Sequence, residues 1–313
     1  MSEPKIVVST TMMGQISPRQ WQRVIEGLEH DLVGRGIRIG VGLEVVAAMR
    51  EPLLSLLINR IKRIGLGERV VTVHGRVDYD LQAIGGRMRG LPIHKRAKVL
   101  FYDLFMAWVG ESYRATMKLP RAKLLLHAPT LFQLEAKAGP KPKMLNRRLV
   151  VENDEHIVFP FGDNELALGM QRWGDPLNPV DVLAFAEEMG LAKMVFDTAH
   201  FWRCFPAEKR RERLWRLFCE RAERSSLPIY WHLNHDNGKH FVIRRHLGGF
   251  VSRHDEWLSR IVQFMGKRVK EGRDQVCFEE PVKLRLRMSK ADMDEVLIGV
   301  LRSVESLREY GGV

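Results

Sequence analysis

Eight short aliphatic runs, separated mostly by stretches long enough for a helix, restrict this chain more than any other feature. They are Lys5–Thr10, Ile39–Val46, Val70–His74, Lys123–His127, Arg148–Glu152, Lys193–Asp197, Pro228–His232 and Gln275–Glu279. Their apolar residues are nearly continuous rather than alternating, as expected of strands buried on both faces of a parallel sheet. Helical patterns fall between them. Ser17-Pro18 opens the first as a cap followed by proline at the first helical position. Others cover Pro52–Ile64, His94–Lys118, Pro179–Met189, Pro206–Arg224, Asp255–Val269 and Lys290–Tyr310. Between the fourth and fifth runs only Phe132–Ala138 looks helical, so a short crossover is expected there. Strands joined by helical crossovers predict an α/β chain folded as a single (β/α)8 TIM barrel with parallel strands. No GxGxxG follows a strand to open a helix, which disfavours an open dinucleotide-binding sheet. With no clean linker or low-complexity tract, residues 1–313 are expected to form one domain.

Composition narrows the partners. The three cysteines, Cys204, Cys219 and Cys277, have no CxxC spacing, which argues against a disulfide framework and a cysteine zinc site. The opening MSEPKIVVST lacks the pattern of a signal peptide, and no apolar run reaches the ~18 residues of a membrane span. A cytoplasmic protein without membrane contact is expected, and no protein partner is inferred. The net charge of +12 suits a polyanion such as nucleic acid. The densest basic run, beginning at Glu208, interleaves acids and reads first as a solvated helix face.

Residues able to hold a metal recur at the strand ends: His74 in VVTVHG, His127 in LLLHAP, Glu152 in LVVENDEH, Asp197 and His200 in MVFDTAH, His232 in IYWHLNHD and Glu279 in VCFEEP. Singly, each has an ordinary explanation: a hydrogen-bonded structural histidine, a helix-capping aspartate, a glutamate in a core salt bridge. A barrel, however, brings strand C-termini to one mouth, and several carboxylates buried together would repel without cations between them. Two long connections also leave strand ends. One runs from Gly75 to about Pro92 with Arg76, Tyr79, Arg87 and Arg89; the other runs from about Asn234 to Arg253 with Lys239, Arg244 and Arg245.

These segments resemble the xylose isomerase-like barrel superfamily, whose members include sugar isomerases, epimerases and apurinic/apyrimidinic endonucleases of the endonuclease IV type. The resemblance runs from His74 to Glu279 through Glu152-Asn153, Asp197-Thr198-Ala199-His200 and His232-Leu233-Asn234. It implies one cation held by Glu152, Asp197, His232 and Glu279. Glu279 is preferred to Glu280 because it stands two residues before Pro281. The endonuclease branch implies a second zinc on His74, His127 and the shared Glu152, and a third with His200 as a ligand. The wording around Asp197 and His232 is closer to that branch. Its Asp-x-His pair for the third ion departs here: Arg244 stands where a ligand is expected, and His246 is a partial match. Asp236, His235 and His240 are substitutes that the spacing does not require.

Two enzyme readings follow, both with Glu152 and Glu279 as catalytic candidates. One is a zinc-dependent phosphodiesterase cleaving DNA at abasic sites with two or three ions. In it Arg76, Tyr79, Arg87, Arg89, Lys239, Arg244 and Arg245 contact nucleic acid. The other is a sugar isomerase or epimerase with one Mn or Mg ion and a small sugar substrate. A third reading is a non-catalytic barrel that binds nucleic acid through its basic loops.

Overall fold

The computed structural model describes residues 6–9, 18–37, 40–46, 52–75, 107, 109–138, 146–153, 163–233, 256–278, 301, 304, 305 and 308. Its strands are β1 (Ile6–Ser9), β2 (Val41–Val46), β3 (Val70–His74), β4 (Lys123–His127), β5 (Leu149–Glu152), β6 (Lys193–Asp197), β7 (Ile229–Leu233) and β8 (Gln275–Phe278). They close into a barrel in chain order, with β8 pairing back to β1 and every pair parallel. The expected (β/α)8 architecture is the one observed.

The helices are α1 (Pro18–Gly34), α2 (Leu53–Arg63), α3 (Ala128–Ala138), α4 (Asp163–Trp173), α5 (Pro179–Met189), α6 (Thr198–Cys204), α7 (Glu208–Arg224) and α8 (Glu256–Lys270). Residues 109–117 are also helical, within the expected His94–Lys118 segment. Most of the expected Lys290–Tyr310 helix lies outside the described residues. Three helices differ from expectation. The fourth crossover is not short: α3 starts directly after β4, with Pro129 tolerated because it falls in the first turn. The short α6 begins where Asp197 ends β6 and caps the next turn.

The third difference is α4, which was not among the expected helices. A Cβ at Gly169 would lie 3.0 Å from the backbone oxygen of Phe132, so the glycine permits close approach to α3.

Two apolar regions hold the barrel. Val7, Val71, Leu125, Val150, Val195, Tyr230 and Cys277 form one buried cluster, distinct from the larger core that joins the strands to the helices. On that larger core's side, Phe196 and Trp231 are register partners with rings 5.2 Å apart, and Phe218 of α7 lies 4.7 Å from Phe196. The basic run of α7 is solvated as expected except at Arg211. This arginine is buried, stacks over Trp202 at 3.7 Å and donates to the carbonyl of Phe205. Among the described residues no helix is long and apolar enough to cross a membrane.

The smaller cluster sets the aim of the polar groups. Side chains two residues apart on a strand share a face. His127 follows Leu125, Glu152 follows Val150, Asp197 follows Val195 and His232 follows Tyr230, each by two. Pairing then aligns the strands, with His127 opposite Glu152 and Asp197 opposite His232. One polar layer therefore sits at the C-terminal mouth, above one apolar layer. Barrel enzymes place their chemistry at this end.

Candidate metal centre

Glu152 is the hub of that layer. Its carboxylate is almost wholly buried, and its two oxygens face different partners. Oε2 lies 3.2 Å from Nε2 of His74 and 3.4 Å from Nε2 of His127. Oε1 lies 3.0 Å from Nδ1 of His232 and 3.9 Å from Nδ1 of His200. Burial works to raise the carboxyl pKa, but the charge of His232 and hydrogen bonds from His127, His232 and His74 outweigh it. Glu152 is therefore held well below the usual carboxylate range and is ionised at neutral pH.

Asp197 serves two purposes. Oδ1 accepts a 2.7 Å hydrogen bond from the backbone N–H of His200, capping α6, while Oδ2 lies 4.0 Å from Nδ1 of His232. The capping and ligand interpretations of a strand-end aspartate are thus compatible, because each uses one oxygen. Among the described residues, three groups have donor atoms within 4.8 Å of one another, and two of them share Glu152: His74, His127 and Glu152, and Glu152, Asp197 and His232. Glu152 belongs to both. Buried imidazole nitrogens with carboxylate oxygens form a donor set that suits a divalent cation such as zinc or manganese. The residues present fit such an ion.

Asn153 was not among the expected site residues, although it follows Glu152 directly. Its Oδ1 accepts from the backbone N–H of Asp197 at 2.8 Å, and its Nδ2 donates to the Asp197 carbonyl at 3.3 Å. Its own carbonyl lies 2.8 Å from Nδ1 of His200. That contact favours a proton on Nδ1 and leaves Nε2 as the basic nitrogen of a ring that is 17% exposed. Asn153→Ala should weaken divalent-cation binding by about 10–100-fold, the usual cost of losing a partner that orients ligands. Competition with a chromophoric chelator measures this; unchanged affinity would remove Asn153 from the centre.

Glu44 on β2 is a second group that sequence reasoning missed. It is fully buried, and its Oε2 accepts from Thr72 at 2.7 Å and from the hydroxyl of Tyr230 at 3.2 Å. Burial raises its pKa, but the charge and hydrogen bonding of His232, with His74 and Thr72, bring it below the ordinary value. The available signal was a lone acid inside the aliphatic run VGLEVV.

Glu279, the seven basic-loop residues Arg76, Tyr79, Arg87, Arg89, Lys239, Arg244 and Arg245, and the partial match His246 lie outside the described residues. The structure brings together His74, His127, Glu152, Asp197, His200 and His232.

Fold and site together define a parallel eight-stranded barrel with buried His and carboxylate groups, able to bind metal ions, at its mouth. Among solved structures, the chain is similar to a xylose isomerase domain-containing protein from Salmonella typhimurium LT2. The two are 16% identical, with 98% of each chain covered and a TM-score of 0.56. It is also similar to 3-keto-D-glucoside 4-epimerase (YcjR) from E. coli, at 13% identity over 98% of this chain and 99% of that one, with a TM-score of 0.47. At these identities the likeness is one of fold. No protein-family model and no curated protein sequence matches the chain.

Proposed function

We propose that this chain is a metal-dependent enzyme, and that it hydrolyses phosphodiesters at a centre where His74, His127, Glu152, Asp197 and His232 would hold two divalent cations. The observation that carries this reading is the division of the Glu152 carboxylate, with one oxygen toward His74 and His127 and the other toward His232. A carboxylate facing two donor groups is the arrangement a bridging ligand needs. When bound, such cations activate water at neutral pH and offset charge on a phosphoryl group.

The protein's part is rigid placement. His74 and His127 supply one side of the centre, Asp197 and His232 the other, and Asn153 fixes Asp197 and His200. Glu279 is assigned to the Asp197 side as a fourth ligand. The net charge of +12 favours a polyanionic substrate, and DNA containing an abasic site is the proposed one. Arg76, Tyr79, Arg87, Arg89, Lys239, Arg244 and Arg245 are the proposed contacts to it.

The fold neighbour favours a second reading. A xylose isomerase domain-containing protein shares the barrel, so a sugar isomerase or epimerase with one ion remains in contention. Glu152 and Glu279 would then move a proton at the carbon beside a ketose carbonyl.

One experiment separates them. The purified protein is stripped of metal, reloaded with Zn²⁺ or Mn²⁺, and offered both a duplex with one abasic site and a panel of ketoses. Chelator-sensitive strand incision with about two or more ions per chain is the expected result. Sugar interconversion with one ion and no incision would establish the second reading instead.

A further inference from the structure

We infer that Glu44 is a positioning residue for His232, fixing which ring nitrogen faces the centre. This rests on the reading above, in which His232 is a cation ligand. Nδ1 of His232 is the nitrogen on that side, 3.0 Å from Glu152 and 4.0 Å from Asp197. On the opposite side, Nε2 lies 3.2 Å from Oε2 of Glu44. A neutral imidazole presents a lone pair at Nδ1 only when its proton sits on Nε2. With a cation on the Glu152 side, Nδ1 would give up the proton it shares with Glu152, and the carboxylate beside Nε2 would then favour the Nε2–H tautomer and increase the basicity of Nδ1.

Local structure holds Glu44 for this task. Between β2 and β3 the register advances irregularly, from Leu43 opposite Val70 to Glu44 opposite Thr72. Such an irregularity re-aims side chains. Here it brings the Thr72 hydroxyl to Glu44 Oε2, while Tyr230 reaches the same oxygen from β7. Glu44, His232 and Cys277 also have donor atoms within 4.8 Å of one another, which raises the alternative of a cation bound there. Two hydroxyl donors already occupy Oε2, so a cation there would have to displace them or take the other carboxylate oxygen, and zinc stoichiometry tells the two roles apart.

The test compares the wild-type protein with Glu44→Gln, Glu44→Leu and Thr72→Val. The probe is Zn²⁺ alone, with affinity read by chelator competition, stoichiometry by elemental analysis, and the His232 tautomer by ¹⁵N chemical shifts. Glu44→Gln should bind zinc about tenfold more weakly and Glu44→Leu about 100-fold more weakly, the range for lost outer-shell partners. In the leucine variant the His232 shifts should also lose the pure Nε2–H signature.

Thr72→Val should stay within about threefold of wild type, because it leaves the Glu44 carboxylate in place. Should Glu44→Leu fail to fold, Glu44→Gln carries the test, and unchanged zinc affinity in it overturns the inference. A purely structural Glu44 would lower the melting temperature without moving the nitrogen shifts. Loss of one whole zinc equivalent, with the remaining affinity intact, would make Glu44 a ligand and overturn the positioning role. If wild type itself takes up no zinc, the proposed function falls first, and this inference with it.

Discussion

Glu152→Gln is expected to abolish activity and reduce bound divalent cation to less than one per chain, with an unchanged far-ultraviolet circular dichroism spectrum. The loss should exceed the 10–100-fold typical of outer-shell partners, because this residue faces both donor groups itself. Glutamine keeps the size of the side chain and one oxygen acceptor. It removes the charge and the second equivalent oxygen, so it cannot serve His74 and His127 on one side and His232 on the other. Elemental analysis alongside the incision and sugar assays checks the prediction. If the variant retains two ions and full activity, the centre is not built on Glu152, and both enzyme readings fail with it.

The second large effect lies at the other end of the strands and concerns stability alone. Arg268 of α8 is completely buried. Its guanidinium grips Asp274 with Nε to Oδ2 at 2.6 Å and a terminal nitrogen to Oδ1 at 2.9 Å, and it also donates to the carbonyl of Ala222. Asp274 in turn accepts from the backbone N–H of Ile229 and from Nε1 of Trp231. The pair thus ties α8 and α7 to the starts of β7 and β8. Asp274→Ala should cost about 3–5 kcal/mol, because it strands a buried cation and two further donors. Urea unfolding measures that loss.

A double replacement, Arg268→Met with Asp274→Leu, should recover the share due to the stranded cation but not that of the Ile229 N–H and Trp231 Nε1, which stay without their acceptor. Zinc stoichiometry should be unchanged in every folded variant, given the distance along the strands from Asp274 to the mouth. If Asp274→Ala costs under about 1 kcal/mol, the pair is no more than an ordinary surface contact.

Much of this protein is legible in the order of its residues alone. The eight aliphatic runs match the strands to within a residue or two at their ends, because burial on both faces leaves short, nearly continuous apolar runs of strand length. The strand-end polar residues are legible for a related reason. A charged or imidazole side chain that closes such a run stands at the mouth where a barrel's strand ends converge. Position along each strand is therefore enough to nominate His74, His127, Glu152, Asp197 and His232.

Other features depend on neighbours distant in the chain. Gly169 shows no packing role until Phe132 is set against it. Glu44 looks like any acid in a β-run, because its partners Thr72 and Tyr230 stand 28 and 186 residues away. Asn153 reads as part of a motif rather than as the clamp on Asp197 and His200. Arg268 counts toward a basic surface in the sequence and is core in the fold.

The sequence by itself determined the barrel and the inward layer of histidines and carboxylates, because strand period and burial are local properties repeated along the chain. Only the tertiary structure decided that the Glu152 carboxylate divides between two donor groups and that a second acid stands behind His232. Hydrogen bonds form across strands, and their partners are chosen by barrel closure rather than by neighbours in sequence.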